Sequence, residues 1–138
     1  MRGVYLMAVS NKLAGLLLAH PPLAVLVGNR VQWDTLPQGA DQPSIVMYVI
    51  SGVTDYTMQG ASGYVQTRVQ FDCRGETAAD ARAVAEVLNV RLSGFRGDFG
   101  GYRFQGAFAQ GQRTRVDKDG PTNWFTDSRD FTIHWAPA

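Results

Sequence analysis

The chain has 138 residues, 45% of them hydrophobic and 18% charged, with a formal net charge of +1. A chain of this length buries roughly 70% of the surface its unfolded form exposes, so one domain spanning 1–138 folds without a staple. The near-zero charge excludes a protein whose main work is gripping nucleic acid, which takes Lys and Arg clustered against phosphates, and a single cysteine, Cys73, excludes a disulfide framework or a cysteine-rich zinc site.

The first stretch, from Val4 to Ala19, is apolar but is interrupted by Ser10, Asn11 and Lys12. The unbroken remainder from Leu13 is too short to span a membrane, and Pro21 and Pro22 stand where a signal peptide would carry small residues. Leu6, Val9, Leu13, Leu16, Leu17 and His20 recur at helical spacing, which predicts an amphipathic helix ended by the two prolines. A short apolar piece from Leu23 to Val27 leads into a brief strand from Arg30 to Trp33, and the stretch from Asp34 to Pro43 has the composition of an exposed loop.

Ile45 to Ile50 is a continuous apolar run, the pattern of a strand covered on both faces, and Ser51 and Gly52 are expected to break it. From Val53 to Gln59 the chain is expected to extend, turn at Gly60 to Gly63 and return through Tyr64 to Arg74. In the return, Val65, Thr67, Val69, Phe71 and Cys73 alternate with Gln66, Arg68, Gln70, Asp72 and Arg74, the clearest period of two in the sequence. Thr77 can cap a helix in which Ala81, Val84, Ala85, Leu88 and Leu92 form the apolar stripe and Gly94 the stop. A glycine-rich loop follows. Tyr102 to Val116 is a third long strand, the stretch from Asp117 to Pro121 a turn, and Phe131, Ile133 and Trp135 alternate with polar residues in the last strand. The order predicts an α+β fold: an antiparallel or mixed β-sheet built from two β-hairpins, with two helices packed on one face.

Chemistry-bearing residues are sparse. Alternation puts Cys73 on the side of Val69 and Phe71, where a buried thiol is inert, and the histidines His20 and His134 have no metal-ligand spacing. A small ligand-binding or enzymatic domain would have to use a pocket near Cys73 and His134. The segment from Gly94 to Gly101 has the glycine content of a phosphate loop but follows a helix and opens a strand, the reverse of what a phosphate needs. Asp117, Asp119 and Gly120 have no closing Glu for a calcium loop. Arg68, Arg74, Arg103, Arg113 and Arg115 read as a solvated sheet face paired with Asp72, Asp127 and Asp130. Trp124, Phe125 and Trp135 read as packing residues. No catalytic residue, cofactor or metal is expected.

The order of these pieces resembles the tail-completion family of long-tailed phages and phage-like gene transfer agents. The matching text is the Leu-rich helix before Val27-Gly28-Asn29-Arg30-Val31, Pro43 ahead of the apolar strand, Asp55-Tyr56-Thr57-Met58-Gln59-Gly60, Val69-Gln70-Phe71-Asp72-Cys73, the Ala-rich helix from Thr77, Leu92-Ser93-Gly94-Phe95-Arg96-Gly97 and the closing Phe131-Thr132-Ile133-His134-Trp135. The resemblance implies a non-enzymatic structural protein of the virion tail or neck, assembled in the host cytoplasm. It implies a ring, commonly a hexamer, that either terminates the tail tube or acts as a head-side stopper or adaptor. Its partners would be its own copies, the tail tube protein and a head-side connector, with DNA crossing a neutral or acidic lumen without specific binding and no membrane involved. Contacts between subunits and with docking partners are expected on the glycine-hinged, aromatic loops: Asp55, Tyr56, Met58, Gln59, Phe95, Arg96, Phe99, Tyr102, Lys118 and Trp124.

Overall fold

A computed structural model describes residues 12–28, 30–33, 43–57, 60–119 and 122–137, with the side chains of 51–64, 117–119, 122–123 and 137 outside the description. Among the described residues, three helices rather than two accompany a curled, mixed sheet of six strands. Helix α1, described over 12–18, buries Leu13, Leu16 and Leu17, the stripe its spacing predicts, while Leu6 and Val9 lie outside the described residues. The two prolines do not simply end it. They open a second helix, α2 (Pro21–Val27), at its first two positions, where a missing N–H costs no hydrogen bond and the fixed φ suits a helix start. The apolar piece thus docks as a helix, through Leu23 and Val27.

The strands are β1 (Val31–Trp33), β2 (Ser44–Thr57), β3 (Gly60–Gly75), β4 (Gly97–Phe99), β5 (Tyr102–Asp119) and β6 (Thr122–Pro137), with helix α3 (Ala78–Leu92) between β3 and β4. They lie in the order β1-β2-β3-β6-β5-β4. Among the described pairings only β1 and β2 run parallel. Ser51 and Gly52 do not break β2: the ladder to β3 continues through Ser51↔Arg68 and Gly52↔Thr67, with one register shift between Val49 and Ser51. The expected turn at Gly60 to Gly63 is strand as well, because Thr57 already pairs with Gly60. The loop expected from Asp34 lies outside the described residues except for Pro43.

Thr67, Val69, Phe71 and Cys73 of β3 are buried together with Phe131, Ile133 and Trp135 of β6 in the core beneath the helices. Phe71 and Phe131 meet edge to face at 5.7 Å, and the Trp135 Nε1–H donates to Thr67 Oγ1 at 3.0 Å, giving the indole its one polar partner inside the core. Helix α3 starts as its sequence dictates, with Thr77 Oγ1 accepting from the Asp80 N–H at 3.1 Å, and its stripe of Ala81, Val84, Ala85, Leu88 and Leu92 is buried. It ends against Gly94, whose φ of +74° is a left-handed conformation that glycine adopts without strain. The Arg91 guanidinium donates twice to the Leu16 carbonyl, at 3.1 and 3.2 Å, tying α3 to α1.

Candidate assembly surfaces

The alternation that buries one side of β3 sends Arg68, Gln70, Asp72 and Arg74 to the side that carries none of the described helices. There they meet Thr126, Ser128, Asp130 and Thr132 of β6, and Arg113 and Arg115 of β5. Asp72 and Asp130 are nearly buried, with side chains 2% and 6% exposed, beneath arginines that are 42–55% exposed. Asp72 accepts from Arg115 Nη2 at 2.8 Å, Ser128 Oγ at 2.7 Å and Gln70 Nε2 at 2.9 Å. Asp130 Oδ2 faces Arg68 at 3.1 Å and Arg113 at 3.5 Å, and Arg113 also donates to Gln70 at 2.9 Å. Burial alone would raise the Asp72 carboxyl, but the donors from Arg115, Ser128 and Gln70 together hold it below the ordinary carboxylate range. Three guanidiniums stand over two carboxylates and Arg74 lies on the same side, so among the described side chains this face is positive on balance.

Asp127, expected on the same face, belongs to the other one. Its parity on β6 turns it toward α3, where Arg129 grips it in bidentate fashion at 2.8 and 3.2 Å. The hydrogen bond that Arg129 donates to Asp127 is the main reason that the Arg129 pKa is raised, so the guanidinium stays charged. Helix α3 sits over β3 and β6 and barely reaches β5. Two hollows therefore remain between α3 and β5: one of about 250 Å³ between Ala81 and Arg82 on one wall and Thr114 and Val116 on the other, and one of about 200 Å³ beside Asn89, Ala109 and Arg129. Residues 108–116 of β5 are all exposed.

The residues expected to make contacts do not converge on one site. Phe95, Phe99 and Tyr102 are half-buried against the chain's own core: Phe95 lies 6.0 Å from Phe104 with the Arg91 guanidinium 5.1 Å above its ring, and Tyr102 meets Trp135 edge to face at 5.5 Å. Arg96 is exposed. Trp124 lies at the other end of the β5–β6 ladder, paired with Asp117, half-buried beneath Arg74 at 5.6 Å. Asp55 and Tyr56 fall on β2 and Lys118 on β5, with side chains outside the description, and Met58 and Gln59 lie outside the described residues.

Cys73 and His134 do not form a common pocket. Cys73 is fully buried on the helix side, paired with Asp127, and burial first, then the charge of Asp127, pushes its thiol far up. His134 pairs with Gln66 at the far end of the ladder, on the opposite face, and its ring meets that of Phe108 at 5.5 Å. Among the described residues no His, Cys, Asp and Glu group has the arrangement of a metal site. Sequence reading missed Ser128, Gln70 and Arg129 as members of these networks. The signal was present: Thr126-Asp127-Ser128-Arg129-Asp130 is polar at both parities in mid-strand, which an ordinary half-buried strand is not.

The family model described as tail completion protein gp17 matches residues 11–131. No curated protein sequence matches the chain. Among solved structures, a chain in the virion of a native gene transfer agent particle superposes with a TM-score of 0.65 at 18% identity, covering 93% of this chain and 97% of that one. That likeness is one of fold.

Proposed function

This chain belongs to the tail completion protein gp17 family, and on that premise we propose that it is a structural protein of the virion tail, forming a ring, commonly a hexamer, that terminates the tail tube and joins it to the neck proteins on the head side. The match along residues 11–131 carries the reading. Its partners in this role are further copies of itself, the tail tube protein and a head-side connector, with DNA crossing the centre of the ring.

The helix-free face suits the wall of such a passage. Arg68, Arg113 and Arg115 there are each engaged with the buried Asp72 or Asp130, so they offer a passing phosphate less free charge than unpaired guanidiniums would, while Arg74 on the same side lies over the Trp124 ring. The expectation of a neutral or acidic lumen is tested by which residues line the bore of the assembled ring, and a bore lined by these exposed arginines would overturn it. Nothing in the role calls for catalysis: the most nucleophilic side chain, Cys73, is sealed in the core as a neutral thiol.

Electron microscopy of particles assembled without this protein tests the proposal. A terminator predicts tails of uncontrolled length. Tails of normal length that stay detached from heads would instead make the chain a stopper or adaptor of the neck, and normal joined particles would overturn both readings.

A further inference from the structure

The sheet has two long outer margins among the described pairings. On one side β1 covers only Ile45 to Met47 of β2, and on the other β4 covers only Tyr102 to Phe104 of β5. Beyond those short caps, the outer backbone of β2 through Thr57 and of β5 through Asp119 has no described partner strand. Natural edge strands are usually guarded by lysine, proline or brevity. Here β2 contains no Lys, Arg or Pro, and both strands are long. Four of the six large apolar side chains exposed among the described residues lie on these two strands: Val49 and Ile50 on β2, Phe108 and Val116 on β5. On β5, Arg113 and Arg115 are engaged on the helix-free face by Asp130 and Asp72, which leaves Lys118 near the end of the strand as its one lysine guard.

We infer that copies of this chain join by strand addition, the outer margin of β5 in one copy pairing with the outer margin of β2 in the next; this rests on the self-association proposed above and names the surfaces that make it. Strand direction supports the assignment. From β2 through β3 and β6 to β5 every neighbour is antiparallel, so β2 and β5 themselves run in opposite directions. A copy rotated about an axis along the strands therefore presents β2 antiparallel to the β5 it meets, and the alternation continues across the joint. Because the two margins are different strands the contact is head-to-tail, the kind that closes into a ring when the rotation is right.

Size refines the inference. Ten paired residues give about 33 Å of margin, which at a sheet thickness of about 10 Å covers about 330 Å² per partner. A stable interface takes about 800 Å² per partner. The difference falls to the exposed strip of β5 with the hollows beside α3, which lies next to the margin and is open to whatever the neighbouring copy carries beside its β2.

Complementation between two edge variants of the full chain tests this. Ile50→Lys spoils the β2 margin and Val116→Lys the β5 margin, both at exposed positions, with circular dichroism and melting checking the fold of each. Sedimentation over micromolar to millimolar concentration is expected to show wild-type self-association, and at least about tenfold weaker association for each variant alone. An equal mixture is expected to form dimers and nothing larger, because only one sound β5 margin and one sound β2 margin remain to meet. Variants that associate like the wild type would overturn the strand assignment and leave the ring standing. A mixture with no dimer, or with larger assemblies, would overturn the head-to-tail pairing. A wild-type chain that stays monomeric to millimolar concentration would overturn self-assembly through these margins, leaving the ring itself to the particle experiment.

Discussion

Replacing Asp72 with Ala should destabilise the chain by an amount set by the partners it abandons. Ser128 is 1% exposed and donates to Asp72 at 2.7 Å, so its hydroxyl would be left buried without an acceptor, a loss of about 1–3 kcal/mol. The side chain of Arg115 is 42% exposed and can turn to water, so its ion pair adds little after screening. A net cost of about 2 kcal/mol, with a melting entropy of about 2.1 cal/mol/K per residue over the 138 residues, lowers Tm by about 7 °C at neutral pH. Asp72→Asn, which keeps the shape and removes the charge, should be milder and its deficit should depend on pH. A carboxyl whose pKa is depressed by folding contributes stability above its unfolded pKa and loses it as pH falls through the folded one. The gap between wild type and Asp72→Asn should therefore be full at neutral pH and close as pH drops below about 4. Calorimetry across that range is the assay. A Tm for Asp72→Ala within about 2 °C of wild type, or a wild-type-to-Asn gap that does not change with acid, would refute the view that this carboxylate is held ionised beneath its donors.

Other positions give sharper single readings. A methyl group on Gly75 would stand 2.6 Å from the backbone nitrogen of Ala81 and 2.7 Å from Asp80 Cβ, so Gly75→Ala should push the start of α3 off the sheet and cost about 1–3 kcal/mol in denaturant unfolding. Thr77→Ala removes the acceptor for the Asp80 N–H and should cost about 1 kcal/mol by the same measurement, whereas Thr77→Ser should cost much less. Cys73 should resist a maleimide or a disulfide reagent in the native chain at about pH 8 and react with one equivalent in denaturant. Rapid native labelling would mean that the helix side of β3 opens readily.

The strands and helices with one wet face were legible because a single period decided them. Val65 to Cys73 alternates without exception, and the stripe of α3 runs from Ala81 to Leu92 between a threonine cap and a glycine stop. Prolines misled where their two meanings compete: Pro21 and Pro22 both end α1 and start α2, and composition alone favours the first. Glycines misled likewise at Gly52 and at Gly60 to Gly63, where pairing with β3 and β2 overrides the turn preference of the residues. Sequence could list the arginines and aspartates of the assembly surfaces but not match them, because partnership depends on register. Arg115 reaches Asp72 only because β3 and β5 flank the same residues of β6, and Asp127 falls to Arg129 because its parity is odd where that of Asp130 is even. The contact residues proposed from loops carried a different ambiguity. An aromatic beside a glycine can anchor in a partner or in its own core, and Phe95, Phe99 and Tyr102 place much of their surface in their own.

The two sides of β6 are dry for different reasons, and the contrast bears on what the subunit is for. On the helix side Phe131, Ile133 and Trp135 exclude water by apolar packing, while on the other side Thr126, Ser128 and Asp130 are buried beneath arginine stems whose heads stay in contact with solvent. The centre of the sheet is therefore fixed from both faces, and β6 has a long strand on each side. Neither condition holds at the margins, where apolar side chains are exposed and backbone groups have no described strand beside them. A monomer under selection to remain one would reverse that distribution, with guarded edges around a yielding middle. A centre paired on both sides with lightly guarded margins is the arrangement expected of one segment of a larger sheet, in which the proposed strand addition would complete the hydrogen bonding of the outer strands.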